Sequence, residues 1–527
     1  MGQAELLIGG LLVGVALLSA LARTINIPYP IVLVIGGALF GLIPGVPDVK
    51  LNPDVVLVVF LPPLLYAAAF FANFGDIRQN LRTMTLNSVG LVLVTMCAVA
   101  LLVHALVDGM TWGAAFTLGA VVSPTDPLAG AQIMRRLGVP RRIVSSVEGE
   151  GLFNDATALV AYRVGVAAVV GGSFSLAHAS LEFLLGAAGG VAIGLAVGWV
   201  VAEIRARIED IQVSVTISLL SGYAAFVPAN GIGASGVLAA VTCGIYMGIR
   251  GPRIIPARVR LQGFFVWDLL DFLLNATLFV LIGLQLRTVT DALGGYSAGE
   301  LAWYAFAVGT VVAATRFAWL FTVPYIVRAL DRRPSQRERR VGARLRVIAA
   351  WGGMRGAVSL AAALAIPLNT DGGAPFPQRD LIIFLTFAVI FWTLVVQGLT
   401  LPALIRKLQI DDGGDGETEE LRARLMATRA ALERIDTLVE EDWTRDDTLE
   451  RMRALYEYRQ RRFKARAGKI EDDGYEDRST SYQRTIIELL AAQREALVTL
   501  RDEGTISNET MNRIVREMDL EESRLEI

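Results

Sequence analysis

The sequence predicts an all-α, polytopic membrane protein with about thirteen transmembrane helices and a helical cytosolic tail. Apolar residues make up 54% of its 527 residues, and its mean hydropathy of +0.50 is too high for a soluble protein of this length. Apolar segments of roughly 20 residues, the length of a helix that crosses a bilayer, recur up to residue 405. A charged tail follows them, which indicates that the membrane part and the tail are separate domains.

The apolar segments can be placed in chain order from this length requirement. The first resembles a signal peptide in length, but no Lys or Arg precedes it and Arg23 follows it, so we interpret it as a retained helix. The predicted cores are 5–21, 28–44, 54–74, 84–106, 111–135, 144–171, 178–202, 211–228, 234–249, 264–286, 300–328, 346–367 and 380–405.

Loop charges test this segment count independently, because Lys and Arg collect in short cytoplasmic loops. Loops after even-numbered segments offer little beyond Lys50, Arg287 and Arg379. Loops after odd-numbered segments contain Arg23, Arg78, Arg82, Arg135, Arg136, Arg141, Arg142, Arg205, Arg207, Arg250, Arg253, Arg258, Arg260, Arg328, Arg332, Arg333, Arg337, Arg339, Arg340 and Arg344. The alternation predicts a multi-pass plasma-membrane protein with its N-terminus outside and its C-terminus in the cytoplasm.

The composition also argues against several kinds of site. His104 and His178 are the only histidines, too few for a metal cluster or a histidine proton relay. Cys97 and Cys243 lie far apart in apolar segments, which favours packing over a disulfide. Membrane lipids are implied as partners, whereas no nucleic acid and no cofactor are indicated. Carboxylates must therefore carry any proton coupling.

The fifth segment is interrupted by Ser123-Pro124-Thr125-Asp126-Pro127, because prolines on both sides of an acidic residue cannot continue a lipid-facing helix. About half a bilayer separates Trp112 from Val122, at about 1.5 Å per residue, so the break falls near the midplane. Free carbonyls there can bind a cation, and Asp126 can face a helix N-terminus. The alternative is a simple proline kink in which Asp126 only caps a helix; capping and ion binding can also coexist.

The twelfth segment contains a matching interruption, Trp351-Gly352-Gly353-Met354-Arg355-Gly356. Glycine permits unwinding there, and Arg355 adds a charge. The offset between the two interruptions is seven segments, so the two halves run in opposite directions. This arrangement is typical of inverted-repeat transporters, which hold their site between two interrupted helices.

The sixth segment places a carboxylate, Asp155, inside the apolar run from Ile143 to Val170. A charge at the bilayer centre costs a few kcal/mol, so chains retain one mainly where it binds an ion, relays a proton or meets a counter-charge. Glu150 and Asn154 are four residues apart and share a helix face, whereas Asp155 lies about 100° further round.

Arg316, in the eleventh segment, requires a carboxylate partner at a comparable depth. We pair it with Glu150, which lies about one and a half turns from Asp155 along the helix. Asp155 is then left free for an ion or a proton. The alternative is that Arg316 or Arg355 neutralises Asp155 in a purely structural pair.

The tenth segment contributes further polar residues to this apolar region. Asp268 and Asp271 are expected to line an inner funnel, and Asn275 is expected to form a hydrogen bond between helices.

The composition changes at Asp411 and divides the chain into three predicted parts. These are a transmembrane domain over 1–408, a flexible acidic linker over 409–419 and a helical cytosolic domain over 420–527. Apolar residues recur at helical spacing in the tail, which favours a small helical bundle or a dimer contact over a ligand-binding regulatory module. Binding of a cytosolic regulator to the tail is the alternative.

These motifs together resemble those of the monovalent cation:proton antiporter family, which contains the sodium/proton exchangers. The resemblance covers roughly residues 5–408. It is carried by 123–127, by Glu148-Gly149-Glu150-Gly151-Leu152-Phe153-Asn154-Asp155, by Gly352-Gly353-Met354-Arg355-Gly356-Ala357-Val358, and by Pro62-Pro63, Asn275, Phe279, Gly283 and Arg316 in order.

The resemblance implies thirteen spans in two inverted repeats, a core domain with crossed broken helices, and a dimerisation domain that forms a homodimer. It implies that Asp155 carries the cation and the proton, that Thr125 and Asp126 contribute from the break, and that Asn154 supports the site. Because it has Asn at position 154, the chain resembles the electroneutral branch of the family, in which one carboxylate exchanges one cation for one proton.

The resemblance also implies the activity, namely exchange of Na+, with K+ or Li+ as further substrates, for H+ in pH and sodium homeostasis, and no enzymatic reaction. A K+/H+ antiporter of the same fold is one alternative, and an uncoupled cation channel is another from a different class. Two positions depart from the family pattern: Ala67 stands where relatives often have Asp or Glu, and Gly151 where many have Ser.

Overall fold

The computed structural model describes residues 3–43, 55–171, 176–291, 293, 295–331, 341–410, 415–471, 473–523 and 525. The chain forms two compact units, Met1–Asp412 and Gly413–Ile527. Some sequence predictions fall outside the described residues, namely Lys50, the loop arginines between 332 and 340, and residues 411–414 of the predicted linker.

Helices form all regular secondary structure of the described part of the first unit. They are α1 (Gln3–Thr24), α2 (Tyr29–Gly41), α3 (Leu61–Phe70), α4 (Phe74–Thr85), α5 (Val92–Leu106), α6 (Trp112–Val122), α7 (Pro127–Arg136), α8 (Arg141–Val170), α9 (Leu176–Arg205), α10 (Ile211–Gly231), α11 (Gly236–Ile254), α12 (Ala257–Asp291), α13 (Ala298–Leu330), α14 (Ala343–Trp351), α15 (Ala357–Leu364), α16 (Arg379–Trp392) and α17 (Gly398–Lys407).

Three π-helical turns continue directly into α-helices: Val56–Phe60 precedes α3, while Leu86–Leu91 joins α4 to α5 and Thr393–Gln397 joins α16 to α17. Such turns re-aim side chains in the middle of a long helix and are frequent at functional sites. The sequence pattern did not predict them, because a π turn leaves the apolar composition of a segment unchanged.

Seven helices of the described residues are long and apolar enough to cross a membrane, and four shorter apolar helices accompany them. The fold is therefore a polytopic all-α one, while the count of thirteen spans and the inverted repeats stay predictions. The fifth and twelfth segments are interrupted as predicted, since α6 ends at Val122 before α7 begins at Pro127, and α14 ends at Trp351 before α15 begins at Ala357.

The two interruptions lie inside the largest apolar core of the first unit, which contains Val121, Ala129, Met354 and Ala357. Helix α8 packs against both α6 and α7, and α15 packs against α6. These contacts bring the sixth predicted segment beside both breaks.

The second unit contains α18 (Asp415–Leu438), α19 (Asp446–Arg466), α20 (Tyr475–Asp502) and α21 (Asn508–Glu522). Helix α18 packs on α19, and α20 packs on α21. Ile435 and Leu490 of the predicted apolar stripes are buried, whereas Leu489 is 53% exposed. The stripes are thus only partly covered within this unit.

Candidate ion-binding site

The two interruptions meet each other directly. The backbone N–H of Asp126 donates to the carbonyl oxygen of Met354 at 2.8 Å, and the pair forms an isolated antiparallel bridge. Four helix ends consequently converge in the interior of the first unit.

Arg355 neutralises the carbonyl ends at this crossing. Its Nε donates to the carbonyl oxygen of Val122 at 3.1 Å, its Nη1 contacts that of Gly353, and its backbone N–H donates to Thr393 Oγ1 at 3.1 Å. The C-terminus of a helix carries a partial negative charge, so a guanidinium at the end of α6 is favourable. Arg355 is 1% exposed and is held by backbone carbonyls, not by Asp155.

Asp126 occupies the opposite electrostatic position, at the helix N-termini. Its Oδ1 accepts a hydrogen bond from the backbone N–H of Leu128 at 2.9 Å, which caps α7. Its Oδ2 lies against Gly356, the residue before the first turn of α15. An anion is stabilised at such ends, and the side chain also lines a cavity, so Asp126 both caps a helix and faces open space.

Glu150 is fully engaged by neighbouring donors. Arg316 Nη1 forms an ion pair with its Oε1, and Thr125 Oγ1 donates to the same oxygen at 3.1 Å. Asn87 Nδ2 donates to Oε2 at 3.1 Å, and Ser88 Oγ donates to the Glu150 carbonyl at 3.1 Å. The side chains of Glu150 and Arg316 are 4% and 1% exposed, so this is a buried, hydrogen-bonded pair.

Asn87 and Ser88 are site residues that sequence reasoning missed. Both lie in the π-helical turn between α4 and α5, and Trp319 Nε1 fixes Asn87 by donating to its Oδ1 at 3.0 Å. Two adjacent polar residues at the start of an apolar segment were the available signal.

Asn154 supports the break, as its position on the Glu150 face indicates. Its Nδ2 donates to both the carbonyl oxygen and the Oγ1 of Thr125, each at 3.0 Å. Thr125 is therefore held by Asn154 and Glu150 together, one helical turn apart on α8. The Oδ1 of Asn154 is buried and has no hydrogen-bond partner among the described residues.

Asp155 has a different environment from Glu150. Among the described residues, none forms a hydrogen bond or an ion pair with its carboxylate. It is the fifteenth of the 30 residues of α8, hence halfway along that helix. The structural alternative for Asp155 is not realised here, because Arg316 and Arg355 are both engaged elsewhere.

A cavity of about 380 Å³ contains Asp155 and Asp126 together. Towards the α7–α8 loop it is lined by Arg135 and Glu148, which form an ion pair whose arginine side chain is 65% exposed. Its other acidic lining comes from α12, as the sequence predicted for Asp268 and Asp271. The cavity thus connects the two central carboxylates with a charged rim.

One expectation about the cavity wall is changed by the structure. Asn275 Nδ2 donates to the carbonyl oxygen of Asp271 within α12 at 2.9 Å, so the predicted interhelical hydrogen bond is wrong; the acceptor lies one turn earlier in the same helix. A Cβ at Gly151 would lie 2.5 Å from Cδ of Pro127, so glycine here permits the close approach of α7 to α8. Ala67 also lines the cavity.

The arrangement can hold one small cation or one proton at a time. Carboxylate, carbonyl and amide oxygens are suitable ligands for hard cations, and Asp155 is the carboxylate on α8 that has no partner among the described residues. Two broken helices that meet beside such a carboxylate define a secondary transporter whose site lies between its interrupted segments.

Comparison with known proteins identifies the family. The transmembrane profile of the sodium/hydrogen exchangers matches residues 11–407. The chain is 38% identical to an uncharacterised Na+/H+ exchanger of Mycobacterium tuberculosis, over 98% of this chain and 97% of that protein. The chain belongs to the sodium/hydrogen exchanger family, a family of cation/proton antiporters, as the motifs predicted.

Two further relatives extend the comparison. A sodium, potassium, lithium and rubidium/H+ antiporter of Bacillus pumilus is 30% identical over 79% of this chain and 63% of its own length. The sodium proton antiporter MjNhaP1 of Methanocaldococcus jannaschii has a similar fold, with a TM-score of 0.60 over 77% of this chain and 99% of that one, at 18% identity.

Proposed function

We propose that the protein exchanges a monovalent cation, with Na+ favoured, for H+ at Asp155 by alternating access. The observation that carries the proposal is the contrast along α8: Glu150 is saturated by Arg316, Thr125 and Asn87, whereas Asp155 faces the cavity and has no partner in the part of the chain that the structure describes. A carboxylate halfway along an apolar helix that has no counter-charge among the described residues must take it from an ion or a proton.

Competition for this carboxylate supplies the coupling. Asp155 holds either a dehydrated cation or a proton, and either one neutralises it. The empty, ionised form is costly to move through a low-dielectric barrier, so only the loaded site changes its access. Transport of one ion is thereby tied to return of the other.

The neighbouring residues take supporting roles in this proposal. Thr125 and Asp126 contribute oxygens from the break, and Asn154 holds Thr125 while its Oδ1 remains available to the ion or its water. The Glu150–Arg316 pair is structural, and Arg355 offsets the negative helix ends.

The proposal also covers the membrane orientation, the oligomeric state and the physiological role of the protein. The arginine alternation supports a plasma-membrane orientation with the N-terminus outside and the C-terminus in the cytoplasm. In that orientation the charged rim at Arg135 and Glu148 opens to the cytoplasm. A homodimer and a part in pH and sodium homeostasis follow from the family. K+/H+ exchange is the second candidate, because the Bacillus pumilus relative is named for sodium, potassium, lithium and rubidium.

Transport by Asp155→Asn in proteoliposomes tests the proposal. We expect this variant to insert normally and to lose proton-coupled uptake of Na+, because its amide can neither release a proton nor balance a cation. Asp291→Asn is the matched control, since that carboxylate is 73% exposed and outside the cavity lining. Fluorescence dequenching in everted vesicles with Na+, Li+ and K+ in turn identifies the ion.

Substantial dilution-driven transport by Asp155→Asn would overturn the assignment. Flux through the unaltered protein that moves no protons would instead identify an uncoupled channel.

A further inference from the structure

A second cavity, of about 160 Å³, lies between α4, α8, α13 and α14. It has the opposite charge to the first one. The charged residues of its described lining are Arg82, Arg142, Arg316, Arg328, Arg346 and the single carboxylate Glu150. Asp155 does not line it, so this cavity is distinct from the candidate ion site.

Two of these arginines are already neutralised. Arg316 is paired with Glu150, and Arg82 is paired with Asp331 at 2.5 Å. Arg142, on α8, also has an interaction within the protein. The other two, Arg328 and Arg346, lie at the end of α13 and the start of α14.

Arg346 distinguishes this cavity from a cluster of surface arginines, because the residue is only 7% exposed. Its guanidinium lies 5.2 Å from the ring centre of Tyr325, and that of Arg328 lies 5.3 Å from the same ring. Among the described residues, no carboxylate or hydrogen-bond acceptor engages either guanidinium. A ring face balances part of the charge but leaves the N–H donors of Arg346, at the cavity wall, without an acceptor among the described residues.

We propose that this cavity binds a phosphate-bearing anion through Arg346 and Arg328. A guanidinium presents paired N–H donors that match phosphate oxygens, and basic pockets between transmembrane helices on the cytoplasmic side are suited to phospholipid headgroups. Ser146 and Thr83 add hydroxyl groups to the lining, and Val323 and Pro324 of α13 form an apolar wall beside it. A phospholipid headgroup and a free phosphate share this chemistry.

Thermal unfolding of the full-length protein in detergent tests the site. The probes are phosphatidylglycerol, zwitterionic phosphatidylcholine and inorganic phosphate, each titrated against the unaltered protein and Arg346→Gln. We expect a stabilising shift with an anionic probe, and an apparent affinity about fivefold weaker in Arg346→Gln, because one phosphate contact is lost. Arg346→Lys should restore part of it.

Arg207→Gln is the control, because it removes an arginine that is 73% exposed and does not line the cavity. If Arg346→Gln does not fold, Arg328→Gln provides the same comparison. A response to phosphatidylglycerol alone identifies a lipid headgroup, and a response to inorganic phosphate as well identifies a general phosphate site. No response to either anion, or an equal loss in Arg207→Gln, would overturn the proposal.

Discussion

Two carboxylates in the middle of the same apolar helix, α8, lie in different surroundings. The Glu150 carboxylate accepts hydrogen bonds from two side chains and contacts a guanidinium, so its charge is compensated within the protein. Asp155 lies only five residues further along and has none of these partners. The difference arises from the helix face: residues 150 and 154 point to the break at Thr125, whereas residue 155 points to the cavity.

Glu150→Gln should destabilise the fold more than loss of an exposed ion pair does. Removal of one partner from a buried pair leaves an uncompensated charge and typically costs about 3–5 kcal/mol. Arg135→Gln breaks the pair between Arg135 on α7 and Glu148 on α8. The arginine side chain is 65% exposed, so this loss should cost about 1 kcal/mol or less. Thermal unfolding of both variants, followed by tryptophan fluorescence, measures the difference.

The double variant Glu150→Gln/Arg316→Met separates charge from packing. It should recover part of the loss, because no charge is then left unpaired. Equal stability of Glu150→Gln and Arg135→Gln would show that the buried pair does not organise the core.

The sequence was most informative about residues whose chemistry is local. Prolines at 124 and 127 and glycines at 352 and 353 predicted where the helices break, because both residue types act on their own backbone. The opposed faces of Asn154 and Asp155 followed from helix geometry. The partners Asn87 and Thr393 could not be predicted, because they reach the crossing from π-helical turns more than 30 residues away in sequence.

At the scale of elements, the crossing depends on how closely α7 approaches the second break. A Cβ at Gly130 would overlap the carbonyl oxygen of Gly352 and would lie 3.4 Å from its carbonyl carbon. Backbone atoms cannot move aside as a flexible side chain can. The short distance between the two interrupted helices therefore requires glycine at this position.

Gly130→Ala should accordingly destabilise the protein and reduce exchange. Overpacking of a rigid contact costs about 1–3 kcal/mol, which outweighs the gain from replacing a helical glycine. The same substitution at Gly14 in α1 meets nothing within 4 Å and should be neutral or stabilise by about 0.5–1 kcal/mol. Unfolding temperature and Na+ uptake of both variants measure the contrast, and a harmless Gly130→Ala would contradict the crossing geometry.

At the scale of the whole molecule, the two compact units differ in which similarities to other proteins cover them. The exchanger profile ends at residue 407, just before the boundary between the units. The Mycobacterium tuberculosis relative aligns over 98% of this chain, so its similarity extends into the second unit. The tail is thus shared with at least one relative beyond the region that the exchanger profile matches.

The whole transport cycle should be electroneutral, because a single carboxylate, Asp155, exchanges one cation for one proton. Asn154 uses its amide to hold Thr125 and has no proton to exchange.

A cycle that moves one net charge would gain or lose about 2.3 kcal/mol per 100 mV, roughly a 50-fold change in the ion gradient it sustains. We expect no such effect: Na+ uptake into proteoliposomes should be unchanged when a K+ gradient with valinomycin imposes 100 mV of either sign. The control is the proton gradient itself, whose collapse by nigericin with K+ should stop uptake. A rate that follows the imposed potential would require a second charge-bearing group in the cycle, and Asp126, which shares the cavity with Asp155, is the carboxylate that could supply it.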